Sequence, residues 1–104
     1  MRKRDKERFV KKANHLIKSL GAVPGDKGMD WTLHTIAGPL RLCVRQNLSE
    51  GPGSVFTRFG NPEQAKKTVG CNPYSGKWNH HYFDPWSVND ALNNLEFELA
   101  KVTS

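Results

Sequence analysis

The segment between Asn72 and Trp86 holds the densest group of side chains that recognise other molecules in this chain. Aromatic, lysine and histidine side chains follow one another there, and a Pro-Tyr-Ser-Gly turn lies near its start. Tyrosine, tryptophan and arginine are the residue types that most often anchor protein interfaces. We therefore predict a partner-binding surface made of this segment and three arginines of the central strands, namely Tyr74, Lys77, Trp78, His80, Trp86, Arg41, Arg45 and Arg58.

The histidines could instead supply the acid and base of a hydrolase. In such an enzyme His34, His80 or His81 would move protons, while Arg58 or Lys77 would hold a phosphate. No spacing in the chain requires this arrangement, and Lys77 lacks the upstream glycines and the following hydroxyl residue of a phosphate loop. We expect no catalytic residues, and a nuclease-type hydrolase is the least favoured alternative.

Metal binding is not expected either. His80 and His81 are neighbours in a predicted strand, so their side chains point to opposite faces and cannot easily share one ion. Neither the two cysteines, Cys43 and Cys71, nor Asp84 stands at a zinc-like spacing from them. We predict no metal and no cofactor.

The positive charge of the chain is concentrated at one end. The formal net charge is +6, and residues 1–12 alone carry +5, which leaves the other 92 residues almost neutral. The basic residues of this region are Arg2, Lys3, Arg4, Lys6, Arg8, Lys11 and Lys12. Such a region can steer a polyanion, but it is equally typical of a solvated helix start. An alternative function is therefore nucleic-acid binding, through this region and an arginine and aromatic face of the sheet.

The composition also bears on location. No window approaches the roughly 18 apolar residues of a membrane span, and the first residues lack the apolar centre of a signal peptide. Two cysteines without CxxC spacing indicate reduced thiols. We expect a soluble, cytoplasmic protein without a membrane partner.

The elements that position these residues begin with a helix over about residues 5–20, whose start is the basic region. Its apolar side chains recur at helical spacing, at Phe9, Val10, Ala13, Leu16, Ile17 and Leu20. Gly21 is suited to end this helix, and Pro24 with Gly25 prevents it from resuming.

Three strands are predicted next, over residues 31–36, 40–45 and 54–59. In the second strand, alternation sends Leu40, Leu42 and Val44 to the core and Arg41, Cys43 and Arg45 to the other face. The periodicity of the third strand leaves open which of its faces is buried. If Arg58 shares a face with Arg41 and Arg45, the sheet presents a basic patch, and a register slip of one residue would abolish it.

A short helix, a fourth strand and a last helix complete the chain. Asn61 and Ser87 are predicted to cap the two helices, and the fourth strand covers residues 78–83. The last helix has a narrow apolar stripe of Val88, Leu92, Leu95, Leu99 and Val102, and it is a candidate dimer surface. We predict one α+β domain over residues 1–104. Its mostly antiparallel four-stranded sheet is packed against N- and C-terminal helices, in the order α-β-β-β-α-β-α.

Three stretches resemble small uncharacterised proteins carried by bacteriophages and other mobile elements. They are GPLRL at 38–42, FTRF at 56–59 and NPYSGKWN at 72–79, and the resemblance covers about residues 30–83. It implies a context and no catalytic residue, because small phage-borne proteins often bind and inhibit host or defence machinery, anti-CRISPR proteins among them. The preferred hypothesis is a non-enzymatic accessory or inhibitor protein that binds a host protein or nucleoprotein in the bacterial cytoplasm.

Overall fold

A computed structural model describes residues 1–25, 30–46, 51–69, 79–83 and 86–103. Helix α1 covers Lys3–Ser19 and is followed by strands β1 (Val23–Pro24), β2 (Trp31–Thr35), β3 (Gly38–Arg45) and β4 (Ser54–Phe59). Helix α2 covers Pro62–Val69, strand β5 covers Asn79–Tyr82, and helix α3 covers Val88–Thr103. The α+β class and the predicted order of helices and strands are therefore confirmed.

The strands form one antiparallel sheet in which each strand pairs with the next along the chain, in the order β1-β2-β3-β4-β5. The four predicted strands correspond to β2, β3, β4 and β5. Strand β1 is an addition that the sequence did not indicate, because two residues that include a proline carry no alternation. Gly21, with φ 93°, follows α1 before the chain reaches this edge of the sheet, where Val23 stands opposite Thr32.

Helices α1 and α3 cover the same face of the sheet. The buried side chains of α1 are Phe9, Ala13 and Ile17, at the spacing of one helical stripe. They belong to one apolar core with side chains of α3 and of the sheet, among them Leu33, Leu40, Leu42, Val44, Val55, Phe59, Leu95 and Leu99. Trp31 links the layers, because its indole Nε1 donates a hydrogen bond of 2.9 Å to Oδ1 of Asn14.

The predicted helix starts are formed by side-chain caps. The amide of Gln64 donates to Oδ1 of Asn61 at 3.1 Å, and the amide of Asp90 donates to Oγ of Ser87 at 3.1 Å. The stripe of α3 is broader than predicted. Ala91 and Glu98 are buried, whereas Leu92 is only half-buried, because the helix contacts both the sheet and α1.

Candidate binding surface

The other face of the sheet carries a group of arginines that we call the arginine face. It consists of Arg41, Cys43 and Arg45 of β3 with Phe56 and Arg58 of β4. Strand alternation sends these side chains away from the helices, because Leu40, Leu42 and Val44 between them are buried in the core. All three arginines are exposed, and Cys43 and Phe56 are half-buried.

The pairing between β3 and β4 shows which face of β4 is buried, which the periodicity of the sequence left open. Arg41 stands opposite Arg58, Cys43 opposite Phe56, and Arg45 opposite Ser54. Directly opposed residues share a face of the sheet. Val55, Thr57 and Phe59 are accordingly the core-facing buried residues of β4, and Ser54, at the end of the other face, is buried as well. The pairing thus brings Arg58 to the same face as Arg41 and Arg45.

The arginine face is a ladder of three levels. Each level is two residues from the next, which is about 7 Å along a strand, so the Arg41–Arg58 level lies about 13 Å from Arg45. The aromatic ring of Phe56 occupies the level between them. Near the first level, a shallow groove of about 370 Å³ is lined by residues that include Thr32, Pro39, Arg41 and Arg58.

Two contacts orient the guanidinium groups. The carboxylate of Asp30 accepts a hydrogen bond from Arg41, whose side chain remains 55% exposed. Nε of Arg45 lies 3.2 Å from Sγ of Cys43, to which it donates. Strands β2, β3 and β4 contain no acidic residue, and Asp30, immediately before β2, is a carboxylate that offsets part of the positive charge here. Two like charges directly opposite each other destabilise a sheet, and Arg41 and Arg58 form such a pair.

The other predicted partner-binding residues are not all on this face. Tyr74, Lys77 and Trp78 lie outside the described residues. His80 belongs to β5, where its backbone position stands opposite Phe56. Trp86 belongs with the helices instead, because its ring contacts Phe83 edge-on with ring centroids 5.8 Å apart. Phe83 in turn packs against Phe9 of α1, with ring centroids 5.5 Å apart.

The predicted nucleic-acid-binding residues of the basic region lie in or next to α1. Arg2 directly precedes the helix, and all seven side chains are exposed except that of Lys6, which is half-buried. Arg8, Lys11, Lys12 and His15 line one open groove of about 750 Å³. Asp5 offsets a small part of this positive charge, because its carboxylate lies 3.7 Å from the guanidinium of Arg8 in an exposed ion pair.

The hydrolase alternative gains no support from this geometry. His34 is exposed on β2 opposite Pro39, and His81 is paired through its backbone with Val55. Among the described residues, no three His, Cys, Asp or Glu side chains are grouped as metal ligands. Within the same part of the chain, no helix has the length and apolar character needed to cross a membrane.

Sequence reasoning missed two members of the site. Phe56 was left without an assigned face, and the partnership of Asp30 with Arg41 was not predicted. Only the pairing of β2 with β3 could have suggested the contact between Asp30 and Arg41. This pairing sets Trp31 opposite Leu42 and so brings Asp30 near Arg41. Comparison with protein-family models, curated proteins and solved structures finds no match. The resemblance to bacteriophage and mobile-element proteins therefore stays a prediction.

Proposed function

We propose that the protein is a small, non-enzymatic nucleic-acid-binding protein that holds a single strand on the arginine face. The observation that supports this proposal is the order of side chains across the paired strands: two arginines, then an aromatic ring, then a third arginine. An exposed basic surface with aromatic rings is the arrangement that binds single strands, because phosphates are neutralised while bases stack.

Each side chain has a distinct role in this proposal. Arg41, Arg45 and Arg58 bind phosphate oxygens, since a guanidinium presents paired donors that match phosphate. Phe56 stacks on a base, an interaction worth about 1–3 kcal/mol. The carboxylate of Asp30 keeps Arg41 oriented over the strand. In this arrangement the guanidinium groups bind phosphates and not base edges, so binding should depend little on sequence.

A second candidate is the accessory or inhibitor protein that binds a host protein or nucleoprotein. The interaction between Asp30 and Arg41 favours it, because a carboxylate already serves as a ligand of the arginine face. An acidic side chain of a partner protein would bind in the same way. Such a protein would act stoichiometrically, and Tyr74, Lys77, Trp78 and His80 would extend its interface.

The experiment compares two double variants that remove the same charge. Arg45→Gln/Arg58→Gln alters the arginine face, whereas Lys66→Gln/Lys67→Gln alters exposed lysines of α2. Affinity for a single-stranded oligonucleotide of about ten nucleotides is measured by fluorescence anisotropy at several salt concentrations. We expect the arginine variant to bind at least about tenfold more weakly. Its slope of log K against log salt should become shallower by about 1.4, which is about 0.7 for each of the two phosphates that it no longer neutralises.

The control should keep most of its affinity and its slope. Equally weakened binding in the two variants would contradict a site on the arginine face. Wild-type protein that does not bind the oligonucleotide, yet pulls down a protein partner from nuclease-treated bacterial lysate through Arg45 and Arg58, would establish the second candidate instead.

A further inference from the structure

A second positively charged surface lies on the opposite side of the molecule from the arginine face. Arg8, Lys11, Lys12 and His15, which we call the α1 stripe, recur at intervals of three, one and three residues. At 3.6 residues per turn these intervals place all four on one side of the helix. Phe9, Ala13 and Ile17 occupy the other side and are completely buried against the sheet. The α1 stripe therefore points away from the sheet.

The two surfaces cannot contact the same short segment of a polyanion. The arginine face lies on the side of the sheet that the helices leave open, whereas the α1 stripe lies on the outside of the helical layer. The molecule measures 39 × 27 × 21 Å, so a strand seated on one surface has to pass around an edge to reach the other. A strand of only a few nucleotides can occupy one surface alone.

Two polyanions can nevertheless be bound at once. Their mutual repulsion is screened over a Debye length of about 8 Å at physiological ionic strength. The smallest dimension of the molecule is 21 Å, more than twice that length. The protein itself contributes opposite charge between them. A strand bound to the arginine face should therefore reduce the affinity of the α1 stripe for a second strand only slightly.

We propose that the α1 stripe is a second phosphate-binding surface and that one molecule bridges two segments of nucleic acid. The inference rests on the proposed function, because the arginine face supplies the first of the two surfaces. The ligand of the α1 stripe is the phosphodiester backbone alone. Its side chains are lysine, arginine and histidine, and the stripe contains no phenylalanine, tyrosine or tryptophan.

Bridging is measured with two single-stranded oligonucleotides of about six nucleotides each. One is biotinylated and held on beads, and the other carries a fluorophore that is retained only when the protein links the two. Two triple variants remove three positive charges each: Arg8→Gln/Lys11→Gln/Lys12→Gln on the α1 stripe, and Arg41→Gln/Arg45→Gln/Arg58→Gln on the arginine face. All six side chains are exposed, and circular dichroism checks that both variants fold.

We expect the wild type to retain the fluorophore and to bind two oligonucleotides per chain in a calorimetric titration. Each triple variant should bind one oligonucleotide per chain, and its retained fluorescence should fall at least about tenfold, to the level seen without protein. Because the two variants have the same net charge, loss of bridging in both cannot be attributed to a difference in total charge.

Two results would contradict bridging, and they differ in what they imply for the arginine face. If the α1-stripe variant still bridges and still binds two oligonucleotides, the stripe is no binding surface, while the proposed function of the arginine face survives. If the arginine-face variant binds as the wild type does and the α1-stripe variant binds nothing, both the bridging and the proposed function fail.

Discussion

The two faces of strand β3 are subject to opposite demands, although their residues alternate along one strand. On the covered face, Leu40, Leu42 and Val44 are at most 7% exposed and fill the core beneath α1 and α3. On the open face, Arg41 and Arg45 are exposed and stand beside a third arginine of β4. Packing in the core explains the first set, whereas the second set faces solvent.

The residues that stabilise the fold are therefore different from the residues that we propose bind a partner. Buried apolar side chains stabilise the fold by about 1.5–3 kcal/mol each. The opposed pair Arg41 and Arg58 acts in the other direction, because like charges across a strand pair repel. Residues that weaken a sheet while facing solvent are candidates for binding. Substitutions on the covered face should therefore mainly lower stability, whereas substitutions on the open face should mainly lower binding affinity.

The largest contrast is expected between two adjacent residues of β3. Leu42→Ala should lower the free energy of unfolding by about 2–5 kcal/mol, because it leaves a cavity at a side chain that is 1% exposed. Cys43→Ala, at a half-buried position on the open face, should cost no more than about 1 kcal/mol. Chemical denaturation of both variants measures the difference. Similar destabilisation of the two would mean that the open face is packed against something.

A smaller effect is expected at Gly53, where the end of the open face meets the core. A Cβ atom there would lie 2.6 Å from the backbone oxygen of Arg45 and 2.6 Å from the ring of Phe9. Gly53→Ala should therefore destabilise the fold by about 1–3 kcal/mol through overpacking. Gly60→Ala is the control, because its nearest neighbour would be an ordinary 3.5 Å away, on Pro39. Denaturation midpoints compare them, and equal stability of the two variants would contradict the close approach at Gly53.

The fold was predictable because its signals are local. The apolar stripe of α1, the alternation of Leu40, Leu42 and Val44, and the caps at Asn61 and Ser87 each follow from residues close in sequence. These signals do not depend on which strand pairs with which. They therefore establish the class and the order of elements without tertiary information.

The site was predictable only in part, because it depends on register. Arg58 reaches the arginine face through its pairing with Arg41, and the alternation of β4 fits either face equally well. Trp86 was grouped with the arginines on residue type and on its place near a strand end, yet it packs against Phe83, whose ring contacts Phe9 of α1. Residue type predicts that a side chain can bind a partner, but only tertiary structure decides which residues share a surface.

The smallest effect is expected from the opposed Arg41 and Arg58. It tests most directly whether the charges of the open face weaken the sheet. We expect the Arg41–Arg58 pair to have an unfavourable coupling of about 0.2–1 kcal/mol. A double-mutant cycle with Arg41→Thr and Arg58→Thr measures it by chemical denaturation, since threonine suits an exposed strand position. Because both side chains face solvent, the coupling should shrink as salt rises.

Oligonucleotide affinity of the same four proteins completes this test. Each substitution should weaken binding, while the double variant should be less stable than the two single changes together predict, because each single change already relieves the same repulsion. That result would show that the two charges are kept at a cost to the fold, as a binding surface requires. A favourable coupling would mean instead that the arginines support each other within the sheet, and the open face would then need no ligand to explain its charge.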